Sequence, residues 1–247
     1  MLEVLLLFLV ALCRADEEVA FLASYPRSGN TWTRRLVEAA VGGGRRTLSQ
    51  YRDADAYVNI TTASGLAVFG LAATAAPIPL VKTHVPKDFA GGAPLDVWRL
   101  SACRAVVLHR APADSIESFI EYRFGADAVA TADAEGVRGM ARNWTAWHAW
   151  WATHPRAAYV AYADLRRAPA EGLARILAAA GLEAAADGAA VRRAVAAHPP
   201  APERRGCDER LRRLVWGELG DDPVARRLGY STPSPQCQQP PAAGGGR

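Results

Sequence analysis

The chain has 247 residues, with 29 Lys+Arg against 25 Asp+Glu, for a formal net charge of +4. At 50% hydrophobic and 22% charged residues it carries enough apolar side chain to fold around a core, which excludes a disordered, collagen-like or coiled-coil protein. No apolar run reaches the ~20 residues that cross a bilayer, and scattered Arg pairs in a chain with only two lysines, Lys82 and Lys87, do not describe a nucleic-acid-binding stripe.

Val4–Leu12 is a short apolar run followed by Cys13-Arg14-Ala15 and the acidic Asp16-Glu17-Glu18. Two readings stand: a signal-peptide h-region with cleavage after Ala15, or a strand or helix buried in the core. The n-region Met1-Leu2-Glu3 lacks the usual positive side chain. The sequons Asn59-Ile60-Thr61 and Asn143-Trp144-Thr145 fit the first reading, which places the protein in the secretory pathway; the second leaves it in the cytoplasm. Cleavage would leave Cys103, Cys207 and Cys237, enough for one disulfide and one free thiol, and a Cys207–Cys237 bridge would tie down the tail. The expected organisation is a signal peptide over 1–15, one domain over 16–230 and a disordered tail over 231–247, rich in Pro, Gln and Gly. No Cys-x-x-Cys pair or His/Cys cluster predicts a metal site.

Val19–Ser24 (VAFLAS) predicts a buried strand that ends at the turn Tyr25-Pro26-Arg27-Ser28-Gly29. An amphipathic helix follows from Asn30 to Val41, closed by Gly42-Gly43-Gly44. Residues 45–78 show no clean period and read as loops and short helices. Further strands are expected at 79–83, 104–109 and 158–162, with helices over 113–124, 136–153, 169–180, 188–197 and 209–219. Strands alternating with helices predict an α/β fold with a parallel sheet covered on both faces.

The first turn is the most informative segment. A helix N-terminus offers unpaired N–H groups and the positive end of the helix dipole, a ready phosphate site. Gly29 permits close backbone approach, Ser28, Asn30 and Thr31 add polar side chains, and Arg27 brings a cation. The segment is not a Walker A loop, because its first Gly is missing and no Gly-Lys-Ser/Thr follows.

Tyr25-Pro26-Arg27-Ser28-Gly29-Asn30-Thr31-Trp32 resembles, without a gap, the 5′-phosphosulfate loop of sulfotransferases that use 3′-phosphoadenosine 5′-phosphosulfate. Residues 33–38 continue in the style of the branch found in WSC-domain proteins. The resemblance implies a three-layer α/β/α fold with a central parallel sheet, of the P-loop NTPase-like sulfotransferase type. It also implies that Arg27 contacts the sulfonate and 5′-phosphate oxygens and that Trp32 packs on adenine. No metal is expected, since side chains supply the cations.

Arg110 follows the strand at 104–109, with Pro112 at the start of the next helix and Ser118 further along it. Each alone reads as an ordinary surface residue. Together they resemble the family's 3′-phosphate segment Arg-Asn-Pro-x-Asp-x-x-x-Ser, with Ala111 in place of Asn. Lys82-Thr83-His84 lies at the end of another strand, where open α/β sheets place ligands, and resembles the motif that carries the general base. His84 has a side-chain type that titrates near neutrality. Tyr162 in Tyr162-Ala163-Asp164-Leu165 resembles the family's Tyr-Glu-Asp-Leu segment near adenine. Arg204-Arg205-Gly206 resembles the loop that closes over the 3′-phosphate.

The implied reaction is in-line transfer of a sulfonate to a hydroxyl or amine, on a small molecule or a glycan, with His84, Lys82 and Arg27 as catalytic residues. Two alternatives remain: a nucleotide kinase or NTPase, with Asp164 as its magnesium carboxylate, and a non-catalytic relative that binds a nucleotide or glycan.

Overall fold

The computed structural model describes residues 20–49, 57–61, 67–71, 78–84, 103–201 and 208–230. Residues 1–15, read in the sequence as a signal peptide, the tail over 231–247 and Arg204-Arg205-Gly206 lie outside these residues. The chain divides into two compact units, Met1–Arg110 with Trp150–Pro200, and Ala111–Ala149 with Ala201–Arg247.

The first unit is built on a seven-stranded sheet. In chain order its strands are β1 (Ala20–Ser24), β2 (Thr47–Ser49), β3 (Tyr57–Thr61), β4 (Ala67–Leu71), β5 (Ile78–Thr83), β6 (Ala105–His109) and β7 (Ala157–Ala161). Their spatial order is β3-β4-β2-β5-β1-β6-β7. The run from β2 through β7 is parallel, while β4 pairs antiparallel with β2 and with β3. Every residue of β1 and β6 is buried, so the sheet is covered on both faces, as its unbroken apolar runs predict.

Period-two alternation sorts the strand residues. Ala20, Leu22, Leu80, Val106, Leu108 and Val160 share one core with residues of the neighbouring helices. Those helices are α1 (Asn30–Val41), α5 (Tyr162–Arg167), α6 (Pro169–Ala179) and α7 (Gly188–Ala197). In α1 the buried positions Thr33, Leu36, Val37 and Ala40 form one stripe. Burying a Leu or Val from that stripe is worth about 2 kcal/mol each. Glu38 on the opposite side holds β2 in place: its Oε1 accepts from Thr47 N–H (3.0 Å) and from Thr47 Oγ1 (2.6 Å), and Arg34 Nε donates to Thr47 Oγ1 (2.7 Å).

Pro79 stands inside β5, a strand with partners on both sides, where a missing N–H would be costly. The ladder accommodates it. Thr47 pairs with Ile78 but Leu48 with Val81, so the register shift falls where Pro79 cannot donate.

The second unit contains α2 (Pro112–Phe124), α3 (Asp127–Thr131), α8 (Glu209–Leu219), α9 (Pro223–Arg227) and the residues of α4 (Ala134–Ala152) that precede Trp150. Ala113, Ile116, Ile120, Val137, Ala141, Leu211 and Val215 form its core. Arg142 links Glu135 to Glu218, and Arg212 pairs with Asp114.

Two expectations are corrected. Among the described residues, 45–78 hold β2, β3 and β4 where loops and short helices were expected. β2 is only three residues long, too short to show a period, and the Gly and Ala of AVFGL blur the alternation of β4. Tyr162 opens α5 instead of ending β7. Asp164 in the first turn and Arg166 and Arg167 in the last turn suit the dipole of that helix. Cys103 is disulfide-bonded, and the expected Cys207–Cys237 bridge lies outside the described residues.

Candidate active site

The turn after β1 is fixed by two residues. Ser28 N–H bonds the carbonyl of Tyr25 at 3.2 Å, closing a four-residue turn. Pro26 occupies its second position, where a negative φ is obligatory, and Arg27 has φ 66 in the third. That combination is a type II turn, whose third position ordinarily takes Gly. A non-Gly residue in the left-handed region costs about 1–2 kcal/mol. Gly29 follows at φ 96 and ends the turn at the head of α1. Alternating backbone hands of this kind point successive N–H groups into one concavity, an anion-binding nest.

The first intrahelical bond runs from Thr33 N–H to Gly29 O at 3.0 Å, and no side chain caps the helix. The N–H groups of the first turn therefore face outward as donors. Ser28 is fully buried and its Oγ has no hydrogen-bond partner among the described residues. An orphaned buried hydroxyl is costly, and an anion seated on the loop would relieve it. Thr31 is exposed on the first turn.

Behind the loop stands Tyr162. A Cβ on Gly29 would run into its ring carbons Cδ2 and Cε2, so only glycine lets the loop rest on the tyrosine. The Arg110 guanidinium lies 5.1 Å from the centre of the same ring, and its Nη1 donates to the carbonyl of Arg27 at 3.2 Å. Arg166 approaches the ring at 6.0 Å. Trp32 meets it edge-on at 6.0 Å between centroids, and its Nε1 donates to the carbonyl of His198 at 2.9 Å, anchoring the indole to the end of α7.

On the other side of β1 the parallel register pairs Ala23 with Thr83, which brings His84 level with Ser24. His84 Nδ1 is 2.7 Å from the Ser24 carbonyl and 3.3 Å from Ser24 Oγ. A carbonyl oxygen can only accept, so Nδ1 is the protonated ring nitrogen of neutral His84 and Nε2 carries the lone pair. Asn30 secures this corner by donating Nδ2–H to Leu22 O and Ser24 Oγ, both at 3.1 Å. Its amide nitrogen is thus committed to β1. Lys82 is half-buried on β5, in register with Leu22 and with Ser49.

Arg27, Ser28, Gly29, Asn30, Trp32, Arg110 and Tyr162 thus meet through contacts at the carboxyl ends of β1, β6 and β7, with Lys82 and His84 at the end of β5. Ser118 belongs to the second unit, buried on α2. Ser24 and Arg166 were not singled out in the sequence. Ser24 acts through its backbone, which no motif advertises, and Arg166 is one arginine among many. His109, beside Arg110, is buried and its pKa is pushed down to about 4 by desolvation, against a weaker opposing pull from Asp164. Among the described residues, no group of three or more His, Cys, Asp or Glu could hold a metal, and no helix is long and apolar enough to cross a membrane.

The fold has a counterpart in mouse sulfotransferase SULT7A1, whose crystal structure was solved in complex with PAP. The match has a TM-score of 0.51 at 14% sequence identity and covers 91% of this chain and 92% of that one. No curated protein matches this chain. The family model for the sulfotransferase domain matches residues 17–195. That span includes the phosphate turn, the His84 strand end, Arg110 and Tyr162, and the chain belongs to the sulfotransferase family, enzymes that draw sulfonate from 3′-phosphoadenosine 5′-phosphosulfate.

Proposed function

We propose that this sulfotransferase moves the sulfonate onto a hydroxyl or amine acceptor with His84 as general base, and that a carbohydrate hydroxyl is the first acceptor class to test. The observation that carries the reading is the hydrogen bond from His84 Nδ1 to the Ser24 carbonyl, which reserves Nε2 for a proton from the acceptor. As the acceptor atom bonds to sulfur, the bond from sulfur to the bridging 5′-phosphate oxygen breaks. The proton passes to His84, and adenosine 3′,5′-bisphosphate leaves. Arg27, Lys82 and the N–H groups from Gly29 to Trp32 offset the charge gathering on the bridging and equatorial oxygens.

Arg110 takes the 3′-phosphate, and the family resemblance adds Ser118, Arg204 and Arg205 beside Gly206 as candidate ligands of that group. Trp32 and Tyr162 flank the adenine. The 3′-phosphate selects this donor over ATP, and no step needs a metal. A secretory compartment is supported by the disulfide at Cys103 and by the exposure of the sequon residue Asn143 on α4.

The test is transfer from sulfur-labelled donor across a panel of glycans, phenols, sterols and tyrosyl peptides. Label on a glycan hydroxyl supports the carbohydrate reading. Label on phenols or peptides alone, or none on any acceptor, counts against it.

A further inference from the structure

Arg110 carries two contacts that a 3′-phosphate ligand does not need. Its Nη1 donates to the carbonyl of Arg27, the one described non-glycine residue with positive φ. Its guanidinium plane also lies over Tyr162, the ring against which Gly29 rests without room for a Cβ. Arg27 and Gly29 bracket the turn that forms the anion nest. One arginine therefore grips the turn directly at Arg27 and, through Tyr162, indirectly at Gly29.

We propose that Arg110 is a positioning residue for the 5′-phosphosulfate loop, holding Arg27 in its strained conformation by the carbonyl bond and by its seat on Tyr162. The proposal rests on the reading of Arg110 as a 3′-phosphate ligand and adds a second role to it. A left-handed arginine persists only where its surroundings over-determine it. A charge-assisted donor on the carbonyl and a fixed aromatic floor under Gly29 supply that determination. The two ends of the donor are then read by a shared support, and damage at the 3′ end is felt at the 5′ end.

The distinguishing ligand is adenosine 5′-phosphosulfate, which lacks the 3′-phosphate. Calorimetry compares it with adenosine 3′,5′-bisphosphate on the full chain and on Arg110→Ala. A residue that served only the 3′-phosphate would leave adenosine 5′-phosphosulfate untouched. The expected result is a loss of about tenfold in its affinity in Arg110→Ala, the order of one hydrogen bond to a charged group.

Affinity for adenosine 5′-phosphosulfate within about twofold of the parent in Arg110→Ala overturns the proposal. If Arg110→Ala does not fold, Arg110→Lys replaces it, since an ammonium keeps the charge but not the planar seat on the ring. If adenosine 5′-phosphosulfate binds too weakly to measure, amide exchange over residues 25–33 of the ligand-free protein decides. Faster exchange in the variants supports the brace, and unchanged exchange overturns it. Equal affinity of the parent for ligands with and without the 3′-phosphate would remove the 3′-phosphate reading while leaving the brace to stand or fall on the variants.

Discussion

His84 Nδ1 lies 2.7 Å from the carbonyl oxygen of Ser24, across adjacent ends of two parallel strands. The bond fixes the tautomer and leaves the lone pair on Nε2, the atom at which the proposed base would act. Replacing His84 by Ala should lower kcat by about 10²–10⁴ and leave affinity for adenosine 3′,5′-bisphosphate within about twofold, measured by transfer assay and calorimetry. Ser24→Ala should change kcat little, because the short bond is to its backbone, while costing some stability through the lost acceptor for Asn30 Nδ2. Transfer at parental rates in His84→Ala would place the base elsewhere.

Arg27 holds a position where glycine is the natural choice. Arg27→Gly should therefore raise stability by up to about 1 kcal/mol, the removed left-handed cost less the extra chain entropy of glycine. The same variant should lose most transfer activity, because the cation is gone. Denaturant midpoints read the first effect and turnover the second. A fall in stability would show that the Arg27 side chain contributes more to the fold than its backbone costs.

His109 sets an acid limit. Its pKa falls from 6.5 in the unfolded chain to about 4 in the fold, because burial penalises the imidazolium. Between those values the unfolded chain binds more protons, so stability is full above about pH 6.5 and declines as pH drops towards 4. The loss is on the order of 2–3 kcal/mol. His154, also depressed by desolvation, acts in the same direction. Thermal midpoints from pH 7 to 4 should fall more steeply in the parent than in His109→Gln, and parallel profiles would remove His109 as the cause.

The phosphate turn was legible in the sequence because its parts are local. A five-residue apolar strand, Pro26 as turn former, Gly29 and an amphipathic helix follow within one short stretch, and the helix bounds came out at Asn30 and Val41. What stayed hidden depends on distant partners or short elements. Arg110 reaches Arg27 across 83 positions, and nothing in Arg110-Ala111-Pro112 reveals a bond to a carbonyl so far away. Asn30 reads as a polar residue on a ligand loop, yet its amide nitrogen turns inward to Leu22 and Ser24. β2 escaped because three residues carry no period, although its anchor, Glu38, was in plain view on α1.

Recognition of the 3′-phosphate carries the account, since it separates this donor from the abundant adenine nucleotides. Calorimetric titration of the full chain with adenosine 3′,5′-bisphosphate and with adenosine 5′-phosphate measures it directly. Two or more charge-assisted contacts to the extra phosphate predict at least about 100-fold tighter binding of the bisphosphate. Equal affinities for the two nucleotides would contradict the account.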